Sequence, residues 1–156
     1  LQVAVTVAGG EVRKSTKGAH RGIAHNIEIN KLGANQPIYL NKQKVFNSPA
    51  FNFDEVVKIP EGARLLASNK LNNVMSLRFN RNISDIWGIQ YHPEITYEKM
   101  ISLIDFRKER LINKGAFKNQ GEINDHVSMI ENEIKVTEKK SRMRELENWL
   151  NYLYEN

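Results

Sequence analysis

The chain has 156 residues, enough for one domain with a real core, and 40% of them are hydrophobic and 26% charged. The formal net charge is +5, but the lysines are scattered among acids and no basic stripe carries interleaved aromatics, so neither DNA nor RNA is expected as a partner. No apolar run approaches the ~18 residues that a membrane span needs, and the absence of cysteine excludes disulfides and thiolate metal sites and fits a reducing cytoplasm.

The elements follow in chain order. Residues 1–8 are apolar in a helical pattern and stop at Gly9-Gly10, because glycine tolerates the left-handed conformation after a helix. No cap precedes this helix and the first residue is Leu1, so the chain reads as one that begins inside an element, a fragment. Residues 11–15 are expected to form a short strand. Residues 22–30 alternate at Ile23, Ile27 and Ile29 and read as a second. Asn35-Gln36-Pro37 opens a loop, and Asn47-Ser48-Pro49 reads as a turn.

Further strands are expected over residues 54–57, 64–67 and 74–79, then a polar turn over 80–85 and a last strand over 86–91. The final third changes character. Thr96 is the expected N-cap of a helix carrying Tyr97, Met100, Ile101, Ile104 and Leu111, closed by Gly115. Ile123, Val127, Ile130 and Ile134 mark a second helix. Met143, Leu146, Leu150 and Leu153 mark a third, with Thr137 as its cap.

The chemistry concentrates in the string Ile86-Trp87-Gly88-Ile89-Gln90-Tyr91-His92-Pro93-Glu94. It is a buried strand that delivers a histidine and a carboxylate at its C-terminal end. Proline after His92 disfavours helical backbone at the histidine, so the chain stays extended there. Glu94 is near enough to fix the imidazole tautomer, and an imidazole so held can deprotonate a nucleophile and then protonate a leaving amine. A structural histidine beside an exposed glutamate would show the same two residues. His20, His25 and His126 have no metal-ligand spacing.

The string over residues 87–94 resembles the terminal catalytic motif of the class I, triad-type glutamine amidotransferases, in which an aromatic-Gly-aliphatic-Gln-aromatic-His-Pro-Glu sequence carries the catalytic histidine and glutamate. Other segments agree in order. Leu1-Gln2, an apolar helix and Gly9-Gly10-Glu11-Val12 look like the stretch after that family's nucleophile elbow, Cys-x-Gly-Leu-Gln. Residues 17–24 resemble the next segment. Asp54-Glu55-Val56, Ile59-Pro60-Glu61-Gly62-Ala63 and Leu66-Ala67 resemble the stretch leading to His-Pro-Glu.

The resemblance implies an α/β fold: the C-terminal portion of an open, mostly parallel, flavodoxin-like sheet with a helical C-terminal tail. It implies two parts, the amidotransferase portion over residues 1–95 and a helical extension over 96–156. It also implies a Cys-His-Glu triad that hydrolyses the glutamine side-chain amide, with His92 and Glu94 catalytic and the cysteine three residues ahead of Leu1. The chain by itself is then expected to be inactive. Gln2, Asn52 and Phe53 are the implied substrate-binding residues, although Asn52 stands where the family commonly has a histidine. Glutamine is the implied substrate and an ammonia-accepting synthetase domain or subunit the implied partner, in the cytoplasm, with no cofactor, no metal and no membrane, and with self-association open. The stand-alone proteins resembling GMP synthase amidotransferase domains are the nearer match, since a helical tail follows His-Pro-Glu here. Two alternatives remain: a γ-glutamyl hydrolase of the same triad class, and a cysteine-less relative that serves as a scaffold or regulatory subunit.

Overall fold

A computed structural model describes residues 1–155. Helix α1 (Gln2–Val7) stops at Gly9, whose φ of +86° carries the chain out of the helix. Strand β1 (Glu11–Lys14) pairs with β4 (Asp54–Lys58) in a two-stranded antiparallel ribbon. The main sheet holds β2 (His20–Ile29), β3 (Val45–Asn52), β5 (Arg64–Ser68), β6 (Ser76–Arg81) and β7 (Ser84–Ile89) in the order β3-β2-β5-β6-β7. Between β2 and β3 lie the short helix α2 (Lys31–Ala34) and a 3-10 turn over Pro37–Tyr39. Helices α3 (Tyr97–Phe106), α4 (Lys108–Asn113), α5 (Gln120–Val136) and α6 (Lys139–Glu155) complete the chain.

Three apolar clusters hold these layers together. Val5 of α1 packs with Val56, Leu77 and Phe79, which joins the ribbon to the main sheet. Ile23 packs with Ile104, Phe117 and Ile130, so α3 and α5 cover one face of β2. Ala24, Ile27, Tyr39, Phe46 and Tyr91 form the cluster on the other side. Covered on both faces, the centre of β2 is apolar at consecutive positions instead of strictly alternating.

The α/β class and the helical tail agree with the expectation from sequence. The strand direction does not: the sheet was expected to be mostly parallel, and every strand pairing among the described residues is antiparallel. One connection dictates its pairing directly. Asn82 and Ile83 alone join β6 to β7, and a two-residue link can only return a strand beside its predecessor. Asn82 takes a φ of +53°, so the expected turn over 80–85 shrinks to these two residues. The expected last strand over 86–91 shifts to Ser84–Ile89.

Asn47-Ser48-Pro49 is not a turn but part of β3, where Pro49 pairs with Ile23. β3 lies at the sheet edge, and there a residue without an N–H leaves no ladder bond unmade. Thr96 caps α3 as expected, its hydroxyl accepting from the Lys99 amide at 3.3 Å. The helix expected to run to Gly115 breaks at Arg107 into α3 and α4. Thr137 ends α5 and donates to Glu133, four residues back, instead of capping α6.

Candidate active site

Strand β7 ends at Ile89, and the chain beyond it is tied down residue by residue. The Gln90 amide donates to the Met75 carbonyl at 2.8 Å, and the His92 amide donates to the Pro49 carbonyl at 2.7 Å. His92 is therefore anchored to the edge strand that Pro49 belongs to. Pro93 holds the turn, and the Ile95 amide closes it on the His92 carbonyl at 3.2 Å. Within this frame His92 Nδ1 lies 2.8 Å from Glu94 Oε1. The imidazole is 41% exposed, and its Nε2 has no hydrogen-bond partner among the described residues. A carboxylate on Nδ1 selects the tautomer with Nδ1 protonated, which leaves the Nε2 lone pair free to take a proton from an incoming group.

The carboxamides of Gln2, Asn52 and Gln90 converge on one atom. All three donate to the main-chain carbonyl of Asp54, at 3.3, 3.1 and 3.2 Å respectively. This point joins the start of α1, the end of β3 and the residue after β7. Leu1 closes the same region, its side chain packing against Gly88, where an added Cβ would lie 2.6 Å from the leucine Cδ1. Asn52 has a second duty, since its Oδ1 sits 2.8 Å from His20 Nδ1. Phe53 stacks edge-to-face with Phe51 at 5.8 Å between centroids.

Gln2, Asn52, Phe53 and Asp54 line an open cleft of about 800 Å³. Lys14, Arg21 and, around α4, Arg107, Arg110 and Lys114 line the same cleft. Lys14, Arg110 and Lys114 have no ion-pair partner among the described residues, and Asp54 is the one carboxylate in the lining. The cleft thus presents an excess of positive charge, suited to an anionic group. The structure brings the three expected substrate-binding residues to this cleft and pairs His92 with Glu94, but neither His92 nor Glu94 lines it.

Sequence reasoning missed the cationic lining, because its members come from β1, the start of β2, α4 and its two caps and show no common spacing. It also missed Gln90, although that residue sits inside the motif. No group of three or more His, Asp or Glu among the described residues could hold a metal ion, and no helix among them is long and apolar enough to cross a membrane.

The family model for the class-I glutamine amidotransferases matches residues 1–107, more than half of the chain, and the chain belongs to that family. It is 28% identical over 120 residues to a γ-glutamyl-L-1-hydroxyisopropylamide hydrolase from a Pseudomonas species, covering 75% of this chain and 40% of that one. It is 32% identical over 137 residues to the glutamine-hydrolyzing GMP synthase of Thermosipho melanesiensis, covering 86% of this chain and 24% of that one. The chain thus spans less than half the length of either relative. Its fold is similar to that of a glutamine amidotransferase from Thermotoga maritima, with a TM-score of 0.66 at 18% identity over 93% of this chain and 56% of that one.

Proposed function

We propose that the protein hydrolyses the side-chain amide of glutamine through a Cys-His-Glu triad and passes the ammonia to an acceptor. His92 is the general base and then the acid that protonates the leaving ammonia. Glu94 orients His92 and stabilises its charged form. The observation that carries this reading is the 2.8 Å contact from His92 Nδ1 to Glu94 Oε1, with Nε2 left open. The cysteine is the triad member absent from these 156 residues. The family pattern puts it just ahead of Leu1, and the packing of Leu1 on Gly88 supports that position, because it brings the start of α1 against the strand that leads to His92.

In this reading Gln2, Asn52 and Phe53 contribute to the substrate site, and the cations of the same cleft receive the substrate's α-carboxylate. Residues 1–95 are the portion of the amidotransferase domain that carries the site, and residues 96–156 are a helical extension. The ammonia acceptor is a synthetase domain or subunit in the cytoplasm.

A second reading has one observation in its favour. The chain is 28% identical over 120 residues to a γ-glutamyl-L-1-hydroxyisopropylamide hydrolase. The same base and carboxylate would then release an amine instead of ammonia, as the name of the Pseudomonas relative indicates for that protein.

Glutamate release by the full-length protein separates the two. Glutamine should turn over faster than a γ-glutamyl dipeptide if the first reading holds, and the reverse order favours the second. No glutamate from either substrate removes both readings and leaves a scaffold or regulatory role.

A further inference from the structure

Helix α6 returns to the end of β7 and places two buried charged side chains against the turn that carries His92 and Glu94. The guanidinium of Arg142 donates to the carbonyl of Ile95 at 2.8 Å and also to the carbonyl of Pro93. These carbonyls flank Glu94 on its two sides. Three residues further along the helix, Glu145 is completely buried. It accepts from the Tyr91 hydroxyl at 2.9 Å and from Lys42 Nζ at 2.9 Å. Tyr91 is the residue before His92. Positions three apart share a helix face, so one face of α6 holds the turn on both sides of the two proposed catalytic residues.

Packing alone does not explain this choice of residues. Removing a guanidinium and a carboxylate from water is expensive, and apolar side chains of similar volume usually stabilise a protein as well or better. An apolar side chain cannot hold two neighbouring carbonyls, whereas Nη1 of Arg142, with two N–H groups, donates to both. Fixing the carbonyls of Pro93 and Ile95 fixes the backbone from which Glu94 projects. Fixing the Tyr91 ring does the same for the backbone that leads into His92.

We infer that Arg142 and Glu145 are positioning residues: α6 clamps the turn over residues 91–95 so that the Glu94 carboxylate stays seated on His92 Nδ1. The inference rests on the reading of His92 and Glu94 given above. It also assigns the tail a task in catalysis beyond covering the sheet.

The test is the tautomer of His92, read from nitrogen–proton correlations of its ring in the ¹⁵N-labelled full chain above the titration range. The native chain should show one tautomer, with Nδ1 protonated. Arg142→Ala should mix the two tautomers. Asn148→Ala supplies the control, because it removes bonds from the same helix to the carbonyls of Ile38 and Leu40 and touches nothing in the turn. It should lower stability and leave the His92 pattern unchanged.

If Arg142→Ala does not fold, Arg142→Met keeps the apolar stem and loses both donated bonds, and it should still mix the tautomers. A single unchanged tautomer in every folded Arg142 variant overturns the clamp. So does mixing in Asn148→Ala to the same extent, which would mark a loosening of α6 in general. In the full-length protein, Arg142→Met should lower kcat for glutamine about 10- to 100-fold and move KM little, the signature of a misplaced catalytic group. An unchanged kcat also overturns the proposal. If the tautomers respond to Arg142 but hydrolysis persists in His92→Ala, the clamp stands and the triad reading falls.

Discussion

His20 and Asn52 face each other across β2 and β3, with His20 Nδ1 2.8 Å from Asn52 Oδ1. The other ring nitrogen, Nε2, lies 2.9 Å from the carboxamide nitrogen of Asn69. The ring therefore donates at one nitrogen and accepts at the other, which only the neutral imidazole can do. Burial lowers the His20 pKa, against the partial opposition of the Asn52 bond.

The sign for stability follows. Where the folded value lies below the unfolded one, the unfolded chain binds more protons, so stability rises with pH. This contribution is complete above about pH 6.5 and is lost as pH falls from there through the lowered folded value. His126 is lowered for the same first reason, burial, and adds to the same window. Chemical unfolding of His20→Gln between pH 5 and 7.5 should show a shallower dependence than the native chain, with the His126 share remaining. An unchanged slope would mean that the imidazole accepts its proton without loss in the folded state.

Gly22 sits in β2 with a φ of +109°, where an added Cβ would lie 2.8 Å from Ile104 Cδ1 and 2.9 Å from Ile130 Cδ1. Gly62 also has a positive φ, +71°, but nothing lies within 4 Å of its added Cβ. Gly62→Ala should therefore cost only backbone strain, about 1 kcal/mol. Gly22→Ala adds overpacking of the helix–sheet core, for a total of roughly 3 kcal/mol. Urea midpoints of the two variants compare the terms directly, and equal losses would show that α3 and α5 yield freely.

The contrast between what the sequence makes legible and what it hides runs along sequence distance. Thr96 is readable as a cap because its partner, the Lys99 amide, is three residues away. The pairing of His92 with Glu94 is readable for the same reason, being two residues apart. Pro49 misleads, because the rule that proline breaks strands depends on whether the strand is at an edge, and only the full sheet order settles that. The mostly parallel sheet was inferred from the family as a whole, whereas the two-residue link between β6 and β7 sets only the direction of that pair. Nothing in the sequence around Arg142 and Glu145 marks their roles. Their partners lie 47 to 54 residues away or farther, and no local pattern marks such a contact. The double role of Asn52, on the cleft and on His20, is invisible for the same reason.

Arg78 and Asp85 form a two-point ion pair across the β6–β7 hairpin, Nε to Oδ1 at 2.8 Å and Nη2 to Oδ2 at 2.7 Å. The Trp87 indole N–H also donates to Oδ2, at 2.9 Å, and the guanidinium stacks 4.1 Å over the Trp87 ring. Tyr152 of α6 accepts from Arg78 at 3.1 Å, so the pair helps to seat the tail on the hairpin. The bond from Arg78 holds the Asp85 carboxyl below the usual range. A depressed carboxylate stabilises the folded state above its unfolded pKa, near 4, and loses that contribution as pH falls through the folded value. Asp85→Asn should cost about 1 kcal/mol at pH 7, given the partial exposure of both groups. It should also flatten the stability profile below pH 4. A native-like profile in the variant would reduce the pair to a surface contact.

The remaining prediction concerns the two proposed catalytic residues in the full-length protein. His92→Ala removes the proton acceptor, and in a triad that acts as a unit such a loss costs roughly a million-fold in kcat. Glu94→Gln keeps the base and the shape. Its carboxamide can turn an N–H toward Nδ1, which favours the wrong tautomer, and it no longer stabilises the imidazolium. The expected loss is roughly ten-thousand-fold or less, always smaller than that of His92→Ala. Both variants should keep the native melting temperature to within a few degrees, because both side chains are about half exposed and the turn is held by main-chain bonds and by α6. Stopped assays of glutamate release, with the melting temperature measured in parallel, read both quantities. Wild-type turnover in His92→Ala would remove His92 from the chemistry. A larger loss in Glu94→Gln than in His92→Ala would reverse the assignment and make the carboxylate the base.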